Sequence, residues 1–222
     1  PVIRSIMNSV KFEENIDLQA RSAAAVANFL ALCSRPEARA NPSAKIIKNL
    51  CAFVCQDTSK TAVFSTAKGQ NERIYTLATL DATRKPPAKG KYADLTPAED
   101  PALQCGRLIR RGANAALQNI CTKFGAALWT DVPALWDCSA RPLLDTFADG
   151  TQPDLGASDE LGQGVLDACS ILEAVVPHVD ASLANDLAPL LDTLVRVSQS
   201  PIAVVRAAGA RCYSVLTRCL TD

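Results

Sequence analysis

The sequence contains one histidine in 222 residues, His178 in "VVPHVDA". Zinc hydrolase centres and Ser-His or Cys-His nucleophile systems each need at least one well-placed imidazole, so His178 would have to carry such chemistry alone; a capping or surface role is the expected one. Aromatic residues make up only 5% of the chain. An interior built without them draws on Ala, Leu, Val, Ile and Cys, a mixture that favours helices packed closely on helices. Charge of either sign is also missing in excess, with 23 Lys plus Arg against 23 Asp plus Glu. No global field therefore draws the chain onto nucleic acid or an anionic membrane. There is no apolar run of about 18 residues and no basic, then apolar, then small-residue leader, so a soluble chain that is neither secreted nor membrane-spanning is expected. Phosphate-cradling glycine loops are absent too: "LGQGVLDA" has two glycines but neither the third nor a preceding strand. These gaps leave no cofactor expected and no catalytic constellation.

Cysteine, by contrast, is plentiful, at nine residues. The number is odd and the residues are scattered through apolar stretches, which reads as reduced thiols rather than a disulfide frame. Cys51 and Cys55 in "KIIKNLCAFVCQD" share a helix face with Ile47 and Val54. Two thiolates could begin a metal site, but no partner pair or histidine stands at ligand spacing, so buried small hydrophobes are expected. Asp159 and Glu160 read as charges at a helix N-terminus rather than as an acid/base pair.

Apolar residues recur at helical spacing through most of the chain. Ala23, Val26, Phe29, Leu30 and Cys33 mark one face, with Asn15 or Asp17 as cap. Ile46, Ile47, Leu50, Phe53 and Val54 mark a second, after the loop signal "NPS". The rhythm fails over residues 57–102, where Pro86, Pro87, Pro97 and Pro101 with Gly90 forbid a continuous helix; a long, partly disordered insertion is expected there. It resumes at Leu103 and runs to Phe124, with Gly125 as the stop. A helix kinked or restarted at Pro133 follows, then an acidic loop over residues 145–160. Three more stripes run through Val165 to Val176, Leu183 to Leu194, and Val205 to Cys219. The sum is roughly eight helices and no convincing strand.

Three segments align on one arginine: "ARSAAAVANFL", "RRGANAALQNI" and "VRAAGARCYSV". Arg21, Arg111 and Arg206 each precede Ala at two and four positions on, and stand 90 and 95 residues apart. That is about two units of a 40 to 47-residue helical repeat. Proline recurs in the helices between, at Pro133 and Pro189. The expected fold is all-α, an α-solenoid of about four helix pairs with the insertion described above, in which Ala permits close helix crossing and each aligned Arg sits near a helix start facing the next unit. Arg107, Arg110 and Arg111 crowd the first turns of one helix, where the dipole disfavours cations, so at least one should pair with an acidic group, either between repeats or on a partner protein. Lys85 and Lys89 in the insertion are further, weaker partner-binding candidates.

The aligned segments resemble HEAT repeats, whose second helix tends to start with such an Arg. The linked words "QARSAAAVANFLALC", "SAKIIKNLCAFVCQDTSKTAVF" and "RLIRRGANAALQNICTKFGAALWTDVPALWDC" more narrowly resemble the HEAT-repeat region of the TATA-binding-protein-associated Swi/Snf-family ATPases, the modifier-of-transcription and B-TFIID-associated-factor family. Residues 15–145 carry that resemblance. It implies a nuclear transcription regulator whose HEAT array grips the TATA-binding protein, while a motor elsewhere uses ATP to strip that protein from DNA. These residues contain no helicase-type motif, and the chain opens on "PVIRSIM" without an initiator Met. The expectation is a noncatalytic, monomeric piece of a longer array, touching DNA only through the parent complex. The alternative is a HEAT adaptor of the transport-receptor or phosphatase-scaffold kind.

Overall fold

A computed structural model describes residues 2–35, 41–69 and 100–221, and among them the structure is all-α, helix layered on helix in the manner of an α-solenoid. In chain order the helices are α1 (Val2–Phe12), α2 (Ile16–Cys33), α3 (Ser43–Val54), α4 (Phe64–Ala67), α5 (Pro101–Phe124), α6 (Leu128–Asp131), α7 (Pro133–Ser139), α8 (Arg141–Thr146), α9 (Asp159–Val175), α10 (Ala184–Leu187), α11 (Leu190–Ser198) and α12 (Ala203–Thr221).

Local chemistry sets their ends. The Asn15 side chain caps α2 by accepting from the backbone N–H groups of Asp17 and Leu18, two donors that have no partner within the helix. Ser158 caps α9 in the same way, with Asp159 and Glu160 in the favourable first turn. Gly125 ends α5 at a φ of 49°, a backbone state that costs glycine nothing. Pro101 begins α5, two residues before the apolar stripe does; its missing N–H is harmless at that position.

The structure contains more helices than eight because prolines divide what periodicity runs together. Val132, at φ −128° and ψ 56°, breaks the chain between α6 and α7, with Pro133 opening α7. The stripe from Leu183 to Leu194 is a 3₁₀ turn, α10 and α11, with Pro189 as the N-cap residue of α11. Leu183, Leu187, Leu190 and Leu194 are nonetheless all buried, since a break that preserves the face preserves the burial.

Two apolar cores result. The first gathers Val26, Leu30, Ile47, Leu50, Leu117, Ile120 and Leu135 from α2, α3, α5 and α7. The second gathers Phe64, Leu143, Leu166, Leu190, Leu194, Val205 and Leu216 from α4, α8, α9, α11 and α12. Each fully buried side chain of this kind contributes about 1.5–3 kcal/mol. Helix α9 belongs to both: Ile171 and Val175 face the first core, Cys169 and Leu172 the second. At the crossing of α1, α2 and α5, a Cβ on Gly112 would overlap the Val10 carbonyl and the Gln19 amide, so the backbones meet only because residue 112 has no side chain.

The first part of the expected insertion, residues 57–69, is packed. Asp57 accepts from the Ser59 N–H at 3.1 Å, and the Phe64 ring lies fully buried in the second core. Residues 70–99, which include Lys85 and Lys89, lie outside the described residues.

Candidate partner-binding surface

Arg107, Arg110 and Arg111 occupy the second and third turns of α5, further from its N-terminus than the sequence places them, and each meets a different environment. Arg110 turns inward. Its Nη1 donates to the Val54 carbonyl at 2.9 Å, to Thr61 Oγ1 at 3.1 Å and to Ser170 Oγ at 2.9 Å. The Thr61 and Ser170 hydroxyls share a further bond of 2.6 Å. One guanidinium thus ties the end of α3, the packed loop and α9 to α5. The Nη1 of Arg110, one of the partner-binding candidates, is thus directed to internal acceptors, none of them a carboxylate.

Beside this cluster stands Glu173. Arg211 Nε lies 3.4 Å from its Oε1, an atom sealed from water and with no closer partner. Burial raises the Glu173 carboxyl above its ordinary value, and the cations of Arg211, Arg110 and Lys60 oppose the rise without cancelling it.

Arg111 works at the other side of α5. Its Nε donates to Gln19 Oε1 at 2.6 Å, and Nη2 to the Glu13 and Glu14 carbonyls at 3.2 and 3.0 Å. The Gln19 amide in turn donates to the Val10 and Leu108 carbonyls at 2.9 and 3.0 Å. The α1–α2 corner is thereby locked to α5.

Arg21, Arg111 and Arg206 do not occupy one equivalent place. Arg21 is exposed on the second turn of α2, Arg111 lies mid-helix, and Arg206 donates to the Ser200 and Pro201 carbonyls just ahead of its own helix. What the aligned segments do share is the alanine two positions on: Ala23, Ala113 and Ala208 are all buried. The alignment therefore tracks helix crossings, where small side chains are required, rather than an arginine ladder.

Two of the clefts on the described surface combine apolar and charged walls. The larger, about 770 Å³, is walled by Phe12, Glu14, Arg107, Leu108 and Arg111. Phe12 is 55% exposed there, and Ile16 and Leu18 add further exposed apolar area at the same corner. Arg107 is exposed on this face, so the cleft combines an aromatic and two guanidiniums, residue types enriched at protein interfaces, with the Glu14 side chain beside them. The second, about 520 Å³, lies between Trp129, Trp136, Pro133 and Pro189, with Asp137, Arg141 and Asp186 at its rim. The two indoles meet edge to face at 5.2 Å, and Arg141 pairs with Asp137 at 2.7 Å.

Chemistry-bearing residues elsewhere are dispersed. His178 is half-buried in a 3₁₀ turn, and burial lowers its pKa. Among the described residues no three His, Cys, Asp or Glu side chains converge as metal ligands, and no helix is long and apolar enough to cross a membrane. Cys51 is buried, whereas Cys55 is the C-cap residue of α3, half-buried with its thiol 3.8 Å from the Asp167 carbonyl.

Gln19, Thr61, Ser170 and Glu173 escape sequence reading. Gln19 is 2% exposed four residues before Ala23, so a polar residue inside an apolar stripe was the available signal. Ser170, between Cys169 and Ile171, carries the same one.

The chain is similar to proteins named as TATA-binding protein-associated factors, among them the following three. It is 32% identical to mot1 of Aspergillus fumigatus over 99% of this chain and 11% of that protein. It is 31% identical to mot1 of Schizosaccharomyces pombe over 97% of this chain and 12% of that protein. It is 27% identical to the factor 172 of Homo sapiens over 100% of this chain and 14% of that protein. The chain thus spans about a ninth of the length of the first of these relatives, and homology runs through nearly the whole of it. Residues 1–138, more than half of the chain, match the family model described as a domain of unknown function, DUF3535, and the chain belongs to that family.

Proposed function

We propose that this chain is a noncatalytic, HEAT-type scaffold segment of a nuclear transcription regulator that binds the TATA-binding protein and, through an ATPase motor outside these residues, removes it from DNA. The observation that carries the reading is chain-long similarity to proteins named as TATA-binding protein-associated factors. The physical arrangement supports it: helices share cores across layers, polar side chains lock the crossings, and the exposed features are clefts rather than a constellation of acid, base and nucleophile. The cleft of Phe12, Arg107 and Arg111 is the surface assigned to a partner in this scheme. ATP and DNA contacts belong to other parts of the parent protein.

The test is retention of purified TATA-binding protein by this chain and, beside it, by a longer fragment of the parent array that contains it. Binding by the longer fragment, weakened in its Phe12→Ala/Arg107→Ala variant, supports both the function and the surface. Binding unchanged in that variant moves the partner surface elsewhere on the array. Failure of both the chain and the longer fragment to bind overturns the reading.

A further inference from the structure

Both tryptophans of the chain, Trp129 and Trp136, meet in the smaller cleft. Neither belongs wholly to a core: each is half-buried, Trp129 packing against both cores and Trp136 against the second. Their rings stand edge to face, 5.2 Å apart and inclined at 66°. The Nε1 of Trp129 is sealed from water with no partner among the described residues, so this indole offers the cleft carbon surface and no donor. The exposed Pro133 and Pro189 form further walls, and each stands at a helix start, of α7 and α11, with its φ fixed by the ring.

The rim is charged and unevenly matched. Arg141 is paired with Asp137, whereas Asp186 is exposed and has no ion-pair partner among the described residues. Two carboxylates against one guanidinium leave the rim short of one cation. The exposed Asn185 amide, next to Asp186, can donate to a peptide carbonyl.

This lining discriminates among the ways a chain segment can dock. No strand is present among the described residues to pair with an added one. An amphipathic helix inserts side chains into a hydrophobic groove, whereas these walls are flat indole and pyrrolidine rings. A polyproline segment matches them: its rings lie flat on indoles, its backbone has no internal hydrogen bonds and leaves carbonyls for a donor, and its stiffness lowers the entropy lost on docking. A Lys or Arg beside the prolines supplies the missing cation and can also lie over an indole face.

We propose that this cleft docks a proline-rich segment of a partner protein that carries Lys or Arg beside its prolines, the indoles taking the proline rings and Asp186 the cation. The site is separate from the Phe12 cleft and does not rest on the TATA-binding protein: Arg107 stands near the start of α5 and Trp129 follows its end, so about 25 Å of helix divides the two clefts.

Since both tryptophans line the cleft, the intrinsic fluorescence of the unsubstituted chain reports its occupancy. The chain is titrated with an oligoproline peptide flanked by lysines and, as controls, with a glutamate-flanked oligoproline and a lysine-flanked oligoserine. A saturable blue shift of the emission is expected with the first peptide, with about tenfold weaker binding of either control. Asp186→Asn, an exposed substitution, should weaken the first peptide about threefold and leave the circular dichroism unchanged. The proposal is overturned if the first peptide produces no shift, if the glutamate-flanked peptide binds as well, or if Asp186→Asn leaves the affinity as it was. The chain's own stretch "RKPPAKGK" from Arg84 has the same composition; binding that emerges only in the Pro86→Ala/Pro87→Ala variant would assign the cleft to that stretch and overturn the partner.

Discussion

The two cores are held by different means. In the first, α5 returns to α1, α2 and α3 after a long excursion of chain, and side chains that reach backbone carbonyls mark the place: Gln19 and Arg111 at one crossing, Arg110 at the other. In the second, α11 and α12 follow one another directly and pack through Leu194, Val197, Val205 and Cys212. Its polar ties include the Arg196 guanidinium, donating to the Phe147 carbonyl at 3.0 Å at the rim, and, where α9 meets the distant α4, the Gln163 side chain, accepting from the Phe64 N–H at 2.8 Å and donating to the Ala62 carbonyl at 3.3 Å. Apolar packing is non-directional, so helices that meet from distant parts of a sequence need directional bonds to select one register, whereas consecutive helices are placed by their short connection.

This contrast can be broken by substitution, with denaturant midpoints as the measurement. The largest loss is expected from Gly162→Leu in α9, because a Cβ there would penetrate the Phe64 ring at the heart of the second core; a destabilisation above about 3 kcal/mol fits overpacking against a rigid aromatic. Next comes Arg110→Ala, which strips the Val54 carbonyl and two buried hydroxyls of a charged donor and should cost about 2–3 kcal/mol. Gln19→Ala should follow at about 2 kcal/mol, since the Val10 and Leu108 carbonyls lose their donor. Arg196→Ala, at the rim, should cost about 1 kcal/mol or less, because water replaces its bonds. Equal losses for Arg110→Ala and Arg196→Ala would erase the distinction between the cores.

The smallest effect is a pH dependence. Burial raises the Glu173 carboxyl above its ordinary value of 4.5, so the folded chain binds this proton more tightly than the unfolded one. Stability from this group is therefore greatest at and below the unfolded value, and falls as pH rises through the folded one. Wild-type chain should lose stability relative to Glu173→Gln as pH rises from 4.5 through the raised folded value, and run parallel to it at higher pH. A stability difference that is constant across the window would show that burial does not raise the Glu173 carboxyl.

Most of the helical faces were legible because periodicity reports burial directly. Ile47, Leu50, Leu117, Cys169 and Leu216 all stand on predicted stripes and are all buried. Helix breaks were less so: the Leu183 to Leu194 stripe keeps its phase across Pro189, and a phase that survives a break hides it. The directions of the arginine side chains were not legible, for a different reason. Residue type and spacing say that Arg110 and Arg111 lie on one helix, but which way a long side chain turns depends on acceptors contributed by Val54, Ser170 and Glu13, none of them near in sequence. Of the residues around the larger cleft, Arg107 stands among the sequence candidates and Phe12, exposed beside it, does not, because an aromatic at a helix end reads equally as core.

Helix α9 has a mechanical consequence. Its successive residues Ile171 and Leu172 are rooted in different cores, so neither core can swing without twisting the one rod they share. A load applied at α1 therefore reaches α12 through α9, the element that both cores hold in common.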